Sequence, residues 1–132
     1  MGIKKEEIST REAPKISHGA ISVPVSQCIK AGNMIFVTAD ARDSSGQVIK
    51  HNFEKAARQA LENVRATLGA AGASMEDIVR VDVYLQNMED YDLFNAVYAE
   101  YVPKPYPVRS VSQPARTPMD IPIGMVVTAI VA

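Results

Sequence analysis

Residues 78–87, IVRVDVYLQN, alternate apolar and polar positions, and that two-residue period predicts a β-strand. Val79, Val81, Val83 and Leu85 fall on its inward face; Arg80, Asp82, Tyr84 and Gln86 fall on the other. Upstream the period lengthens. In HNFEKAARQALENVRATLGAAG, residues 51–72, Phe53, Ala56, Ala57, Ala60, Leu61, Val64 and Leu68 share one helical stripe. Asn52 suits its N-cap, Glu54 its first turn and Gly72 its stop. Ser74 and Asp77 have capping-box spacing for a short helical turn. Residues 89–102 return to helical spacing, with Leu93, Phe94, Val97, Tyr98 and Tyr101 apolar before Pro103. Residues 25–40 read as two strands joined at Ala31-Gly32-Asn33, and 41–48 as a loop rich in turn formers. Two last strands are expected near 106–113 and 123–131.

The order β-β-α-β-α-β-β predicts an α+β domain with two helices on one face of a mixed sheet. Residues 1–132 are read as one domain, with 1–20 an irregular N-terminal segment in which Pro14 and Gly19 discourage a long element. The other sheet face needs a cover. Val25, Ile29 and the row of Arg109 and Val111 are too apolar for water, so a second subunit is expected there.

Composition removes several function classes. Fourteen basic against fifteen acidic residues give a net charge of −1, without the basic stripe of a nucleic-acid binder. The longest apolar run, IGMVVTAIVA, is too short to span a bilayer. The charged opening MGIKKEEISTREAP lacks the apolar core of a signal peptide, and the N-myristoylation pattern fits poorly. One cysteine makes no internal disulfide, and Cys28 reads as a small buried hydrophobe. Cys28, His18 and His51 lack metal-ligand spacing. No metal, cofactor, nucleic acid or membrane is expected, and the cytoplasm is the expected location.

Within this frame several stretches resemble the Rid family, the reactive-intermediate enamine/imine deaminases also called YjgF or endoribonuclease L-PSP-like proteins. PVSQCIKAGNMIFVTA (24–39) resembles the family's PYSQAVKAGNLIFVSG, FNAVYAEYV (94–102) its VNEIYAEYF, and YPVRS (106–110) its FPARS. Residues 53–85 resemble its long helix and following strand. The resemblance implies a chorismate-mutase-like fold and a homotrimer with clefts between subunits. It also implies hydrolysis of a small carboxylate-bearing enamine or imine, of the 2-iminobutanoate or 2-iminopropanoate kind, to a 2-oxo acid and ammonia.

By the same resemblance Arg109 grips the substrate carboxylate, which a planar guanidinium can take through two parallel hydrogen bonds. Asn95 joins it from the second helix, and Thr38 and Ala39 stand where the family has Ser-Gly. Arg109, Asn95 and Thr38 are therefore the catalytic candidates, and Ala39, Val25, Thr128 and Val126 complete the substrate-binding set. Two departures matter. Val25 replaces the tyrosine of PYSQ. The acids of a last-strand EIEAIA fall on Val126 and Thr128 when counted from Ala129-Ile130, and the first falls on Gly124 when counted from Arg109. A threonine hydroxyl can orient water but is no general base near neutrality. His18, in a lengthened loop, is a candidate acid/base, and Asp40, where the family usually has Gln, would add a negative charge. Arg116 is expected at a rim or interface. The competing readings are a non-catalytic trimeric carboxylate-binding protein and a pathway-specific deaminase of an aminomuconate-like substrate; a ribonuclease is disfavoured by the charge.

Overall fold

The computed structural model describes residues 2–18 and 21–132. Eight strands and two helices follow the chain: β1 (Lys5–Ile8), β2 (Ser17–His18), β3 (Ile21–Ser22), β4 (Cys28–Ala31), β5 (Met34–Asp40), α1 (Phe53–Ala70), β6 (Ile78–Leu85), α2 (Tyr91–Tyr101), β7 (Val108–Ser112) and β8 (Ile123–Ile130). Six strands form one sheet in the order β1-β4-β5-β8-β6-β7, while β2 and β3 pair as a separate ribbon. Among the described strands only β6 and β7 run parallel. That parallel pair requires a crossover, and α2 supplies it.

The helix ends follow their local chemistry. Asn52 Oδ1 accepts from the Lys55 N–H at 3.0 Å, so the expected N-cap is in place. Gly72 has φ +84°, a left-handed conformation in which a side chain would be strained. The reciprocal capping box of Ser74 and Asp77 opens the short turn Met75–Asp77. Gly32, with φ +61°, makes the tight turn between β4 and β5.

One face of the sheet carries the core. Ile35, Val37, Val81, Val83, Leu85, Ile123, Met125 and Val127 pack under Ala57, Ala60, Leu61, Val64, Leu68, Phe94 and Val97 of the two helices. α1 packs against β5, β8 and α2. Asn63 anchors this helix to the end of β5. Its amide donates to the carbonyls of Asp40 at 3.0 Å and Arg42 at 2.9 Å.

Four expectations change. The N-terminal segment is not wholly irregular, since Lys5–Ile8 pairs antiparallel with β4. This edge strand is exposed on both sides and so lacks apolar alternation, and its charges blunt the free edge. The hairpin strand begins at Cys28 rather than residue 25. Leu93 lies on the solvent side of α2. Val79 does not face inward: the register slips between Ile78 and Arg80, two residues of β6 opposing one step of β8. This β-bulge turns Val79 out, 42% exposed, while Ile78 takes the buried place.

Leu85→Ala should therefore cost about 2–5 kcal/mol by transfer and cavity terms, whereas Val79→Thr should stay within about 0.5 kcal/mol. Urea unfolding midpoints measure both. Equal losses would mean that Val79 belongs to the core and the bulge is wrong.

Candidate active site

Arg109 lies on β7 opposite Val81 of β6, so it shares the helix-covered face. Val111, two residues on, packs against the core. This corrects the expectation that the Arg109 and Val111 row lines the uncovered face. The reason is the one-residue alternation of β7 between a helix face and an open face, and α2 sits over the first.

On α2, residues 91, 94, 95 and 98 follow the helical spacing that brings side chains onto one surface. The Arg109 guanidinium carbon lies 5.7, 5.5 and 4.9 Å from the ring centroids of Tyr91, Phe94 and Tyr98. Its Nη2 donates to Asn95 Oδ1 at 2.6 Å and to Tyr91 Oη at 3.3 Å. The cation is thus held over aromatic faces, each such contact being worth about 0.5–1 kcal/mol where exposed and more when desolvated. Among the described residues Arg109 forms no ion pair, and its Nε and Nη1 find no acceptor. With Asn95, Tyr98, Ala99 and Tyr106 it lines a cleft of about 270 Å³. Burial pushes the Tyr98 hydroxyl above its ordinary pKa, partly offset by the charge of Arg109, and this hydroxyl has no partner among the described residues. The sequence reading found Arg109 and Asn95 but took Phe94 and Tyr98 only as core and missed Tyr91. Their spacing at 91, 94 and 98 was the available signal.

Thr38 and Val126 stand opposite one another on β5 and β8, on the uncovered face of the sheet. They belong to a second, larger cavity of about 550 Å³, whose walls include Arg116, Thr117, Met119 and the exposed His18. Ala39 points the other way, 5% exposed in the core, and only its main chain can border this cavity. It has no positive φ, so the methyl is accepted without strain. The Thr38 N–H donates to the Gln27 carbonyl at 3.0 Å, leaving the hydroxyl as its group for a ligand. Thr128 pairs with Phe36 farther along the same open face, outside this cavity. Val25 is exposed in a different groove, beside Lys15 and Ser22. The site candidates are therefore divided: Arg109 and Asn95 meet on one side of the sheet, Thr38, Val126 and His18 on the other.

The wall of the larger cavity contains a buried ion pair. Arg42 Nε donates to Asp40 Oδ1 at 3.1 Å and Oδ2 at 3.0 Å, and Arg42 is 2% exposed. Its Nη1 donates to Ser17 Oγ at 3.2 Å, and its Nη2 reaches only Met119 Sδ at 3.9 Å. Met119 and Asp120 have φ of 56° and 55°, left-handed values that cost a non-glycine residue about 1–2 kcal/mol each. Burial pushes the Asp40 carboxyl above its ordinary range, and Arg42 pulls it back. Burial also raises the Cys28 thiol, which disfavours a thiolate nucleophile. Among the described residues no group of His, Cys, Asp and Glu side chains is arranged to hold a metal, and no described helix is long and apolar enough to cross a membrane.

A fold of this order has known counterparts. The family model described as endoribonuclease L-PSP matches residues 17–131, and the chain belongs to that family, the YjgF or Rid proteins. It is 40% identical over 119 residues to a RutC family protein of Pyrococcus horikoshii, covering 89% of this chain and 90% of that one. It is 33% identical over 123 residues to the chloroplastic Reactive Intermediate Deaminase A of Arabidopsis thaliana, covering 92% of this chain and 63% of the relative. The crystal structure of Escherichia coli TdcF with bound serine superposes with a TM-score of 0.84 at 29% identity, covering 96% and 99% of the two chains. The expected α+β fold is thereby established.

Arg42→Met would leave Asp40 buried without its cation and should cost about 3–5 kcal/mol near neutral pH. The sign follows from the raised carboxyl: the native state holds that proton more tightly than the unfolded chain, so the deficit grows as pH rises. Unfolding curves across pH measure it. A deficit that is constant, or larger in acid, would show that Asp40 is not the orphaned group.

Proposed function

We propose that this protein is an enamine/imine deaminase that hydrolyses a small carboxylate-bearing imine, of the 2-iminopropanoate or 2-iminobutanoate kind, to a 2-oxo acid and ammonia. The observation that carries this reading is Arg109, a cation oriented by Asn95 and Tyr91 through one nitrogen only, with no carboxylate partner among the described residues. Such a guanidinium is prepared to bind a planar anion through its remaining N–H groups. Family membership, and a relative named a reactive intermediate deaminase, support the reaction class.

We further propose a homotrimer. Phe36, Tyr84, Val108 and Val126 are exposed on the uncovered sheet face, interleaved with Thr38, Arg80, Asp82 and Thr128, Val108 by 70%, and so many large apolar side chains on one face support a protein partner. In a trimer the Arg109 and Asn95 cleft of one copy would be completed by Thr38, the Ala39 main chain and Val126 of its neighbour, with Thr128, Val25 and His18 at the margins. Joining copies would bring together groups that a single sheet keeps on opposite sides. A non-catalytic carboxylate-binding protein is the second reading, favoured by one fact: β8 turns Gly124, Val126 and Thr128 to the open face and no acid.

Ammonia release from freshly generated 2-iminopropanoate should exceed the enzyme-free rate. Pyruvate binding without ammonia release would favour the binding protein. Arg109→Ala should lose about 2–5 kcal/mol of pyruvate affinity in calorimetry, with Arg109→Lys nearly as poor because an ammonium lacks the fork. Unchanged affinity would return Arg109 to an ordinary surface role. Light scattering should give three times the chain mass, and a stable monomer at micromolar concentration would remove the shared cleft.

A further inference from the structure

Asp40 is the only carboxylate that lines the larger cavity among the described residues. It sits two residues beyond Thr38 on β5, hence on the same open face, and directly across the ladder from Gly124. The glycine matters at this place. A Cβ on residue 124 would stand 4.0 Å from the Asp40 Cβ, so a longer side chain there would close the space in front of the carboxylate. The Asp40 side chain keeps 8% of its surface, enough to meet a small molecule in the cavity. Arg42 holds both oxygens through a single nitrogen. That contact fixes the carboxylate and leaves the outer lone pairs of each oxygen unused by any described side chain. Ser17 and Met119 secure Arg42 in turn, and Asn63 clamps the main chain at both residues.

We propose that Asp40 is the catalytic carboxylate that takes and returns the proton during imine hydrolysis. This rests on the deaminase reading with its cleft shared between copies, and deepens it. As the oxygen of a water molecule bonds to the carbon of the protonated imine, the Asp40 carboxylate accepts a water proton, and the C=N π pair moves to the iminium nitrogen, leaving a neutral amine. The protonated Asp40 then gives that proton to the amine nitrogen. The C–N bond breaks with its electrons leaving on ammonia, the carbon–oxygen double bond forms, and the hydroxyl proton passes to solvent. Water and iminium thus become 2-oxo acid and ammonium, with no oxidant or reductant.

Two surroundings favour the role. Burial moves the carboxyl toward the range in which proton transfer near neutrality is efficient, and Arg42 keeps an ionised, accepting form available. The other charged or titratable groups around the cavity are Arg116, His18 and Tyr84. Thr38, one alternate position away, is placed to orient the attacking water by its hydroxyl.

The test uses the full chain, freshly generated 2-iminopropanoate and pyruvate as the binding probe. Asp40→Asn alone leaves Arg42 buried without its anion, so Asp40→Asn combined with Arg42→Gln, a neutral pair, is measured beside it. Glu100→Gln, an exposed carboxylate that does not line the cavity, is the control. In the neutral pair kcat should fall about 10²–10⁴-fold, pyruvate affinity should hold, and the acid limb of the kcat profile should disappear. A neutral pair as fast as an active wild type overturns the role of Asp40 and leaves the deaminase reading intact. A wild type that releases no ammonia above the enzyme-free rate overturns both.

Discussion

Two helices cannot cover both faces of a six-stranded sheet, and nearly every feature of this molecule follows from that shortage. α1 and α2 pack on the same side, where Leu61, Leu68, Phe94 and Val97 meet the alternating apolar residues of β5, β6 and β8. Burial of that one interface drives folding. The other face keeps its apolar residues exposed, with Phe36, Tyr84, Val108 and Val126 in positions that alternate with core residues along their strands. Each strand therefore offers chemistry in two separate places. A residue's parity along the strand decides which place it serves.

Arg109 shows the consequence. Its parity on β7 is that of a core residue, and at the sheet edge a guanidinium cannot be buried without a partner. The α2 face resolves the conflict by giving it three aromatic rings and one amide rather than a carboxylate. A carboxylate at Asn95 would have neutralised the cation. Asparagine orients it and leaves its charge unspent. That electrostatic remainder is what the proposed function uses.

The Asp40–Arg42 pair is the opposite arrangement, a charge fully matched inside the fold. Buried pairs are weak contributors to stability, because desolvation of both ions consumes most of their attraction. A pair of apolar residues would serve the strand end as well. Its cost is compounded by the left-handed backbone at Met119 and Asp120 that closes over it. Strain and buried charge in one cavity wall are common companions of a functional site.

The chain's own pattern was enough for the helices, the caps of α1, the hairpin at Gly32 and most of the strand alternation, because these depend on residues within a few positions of each other. Arg109 and Asn95 were reached through the family resemblance alone, whereas the common helix face of Tyr91, Phe94 and Tyr98 is written in their local spacing. The pairing of Lys5–Ile8 with β4 was not legible, since an exposed edge strand needs no apolar signal. The Val79 bulge was hidden because an uninterrupted alternation gives no sign of an extra residue opposite β8. Nor could the sequence tell that Asp40 and Arg42 are buried. Two residues apart at the end of a strand, they look solvated, and only Ser17, Met119 and the segment before β8 folding over them remove the water. Short-range periodicity settled which elements form. The tertiary structure decided which face each side chain meets, because that depends on what packs above it.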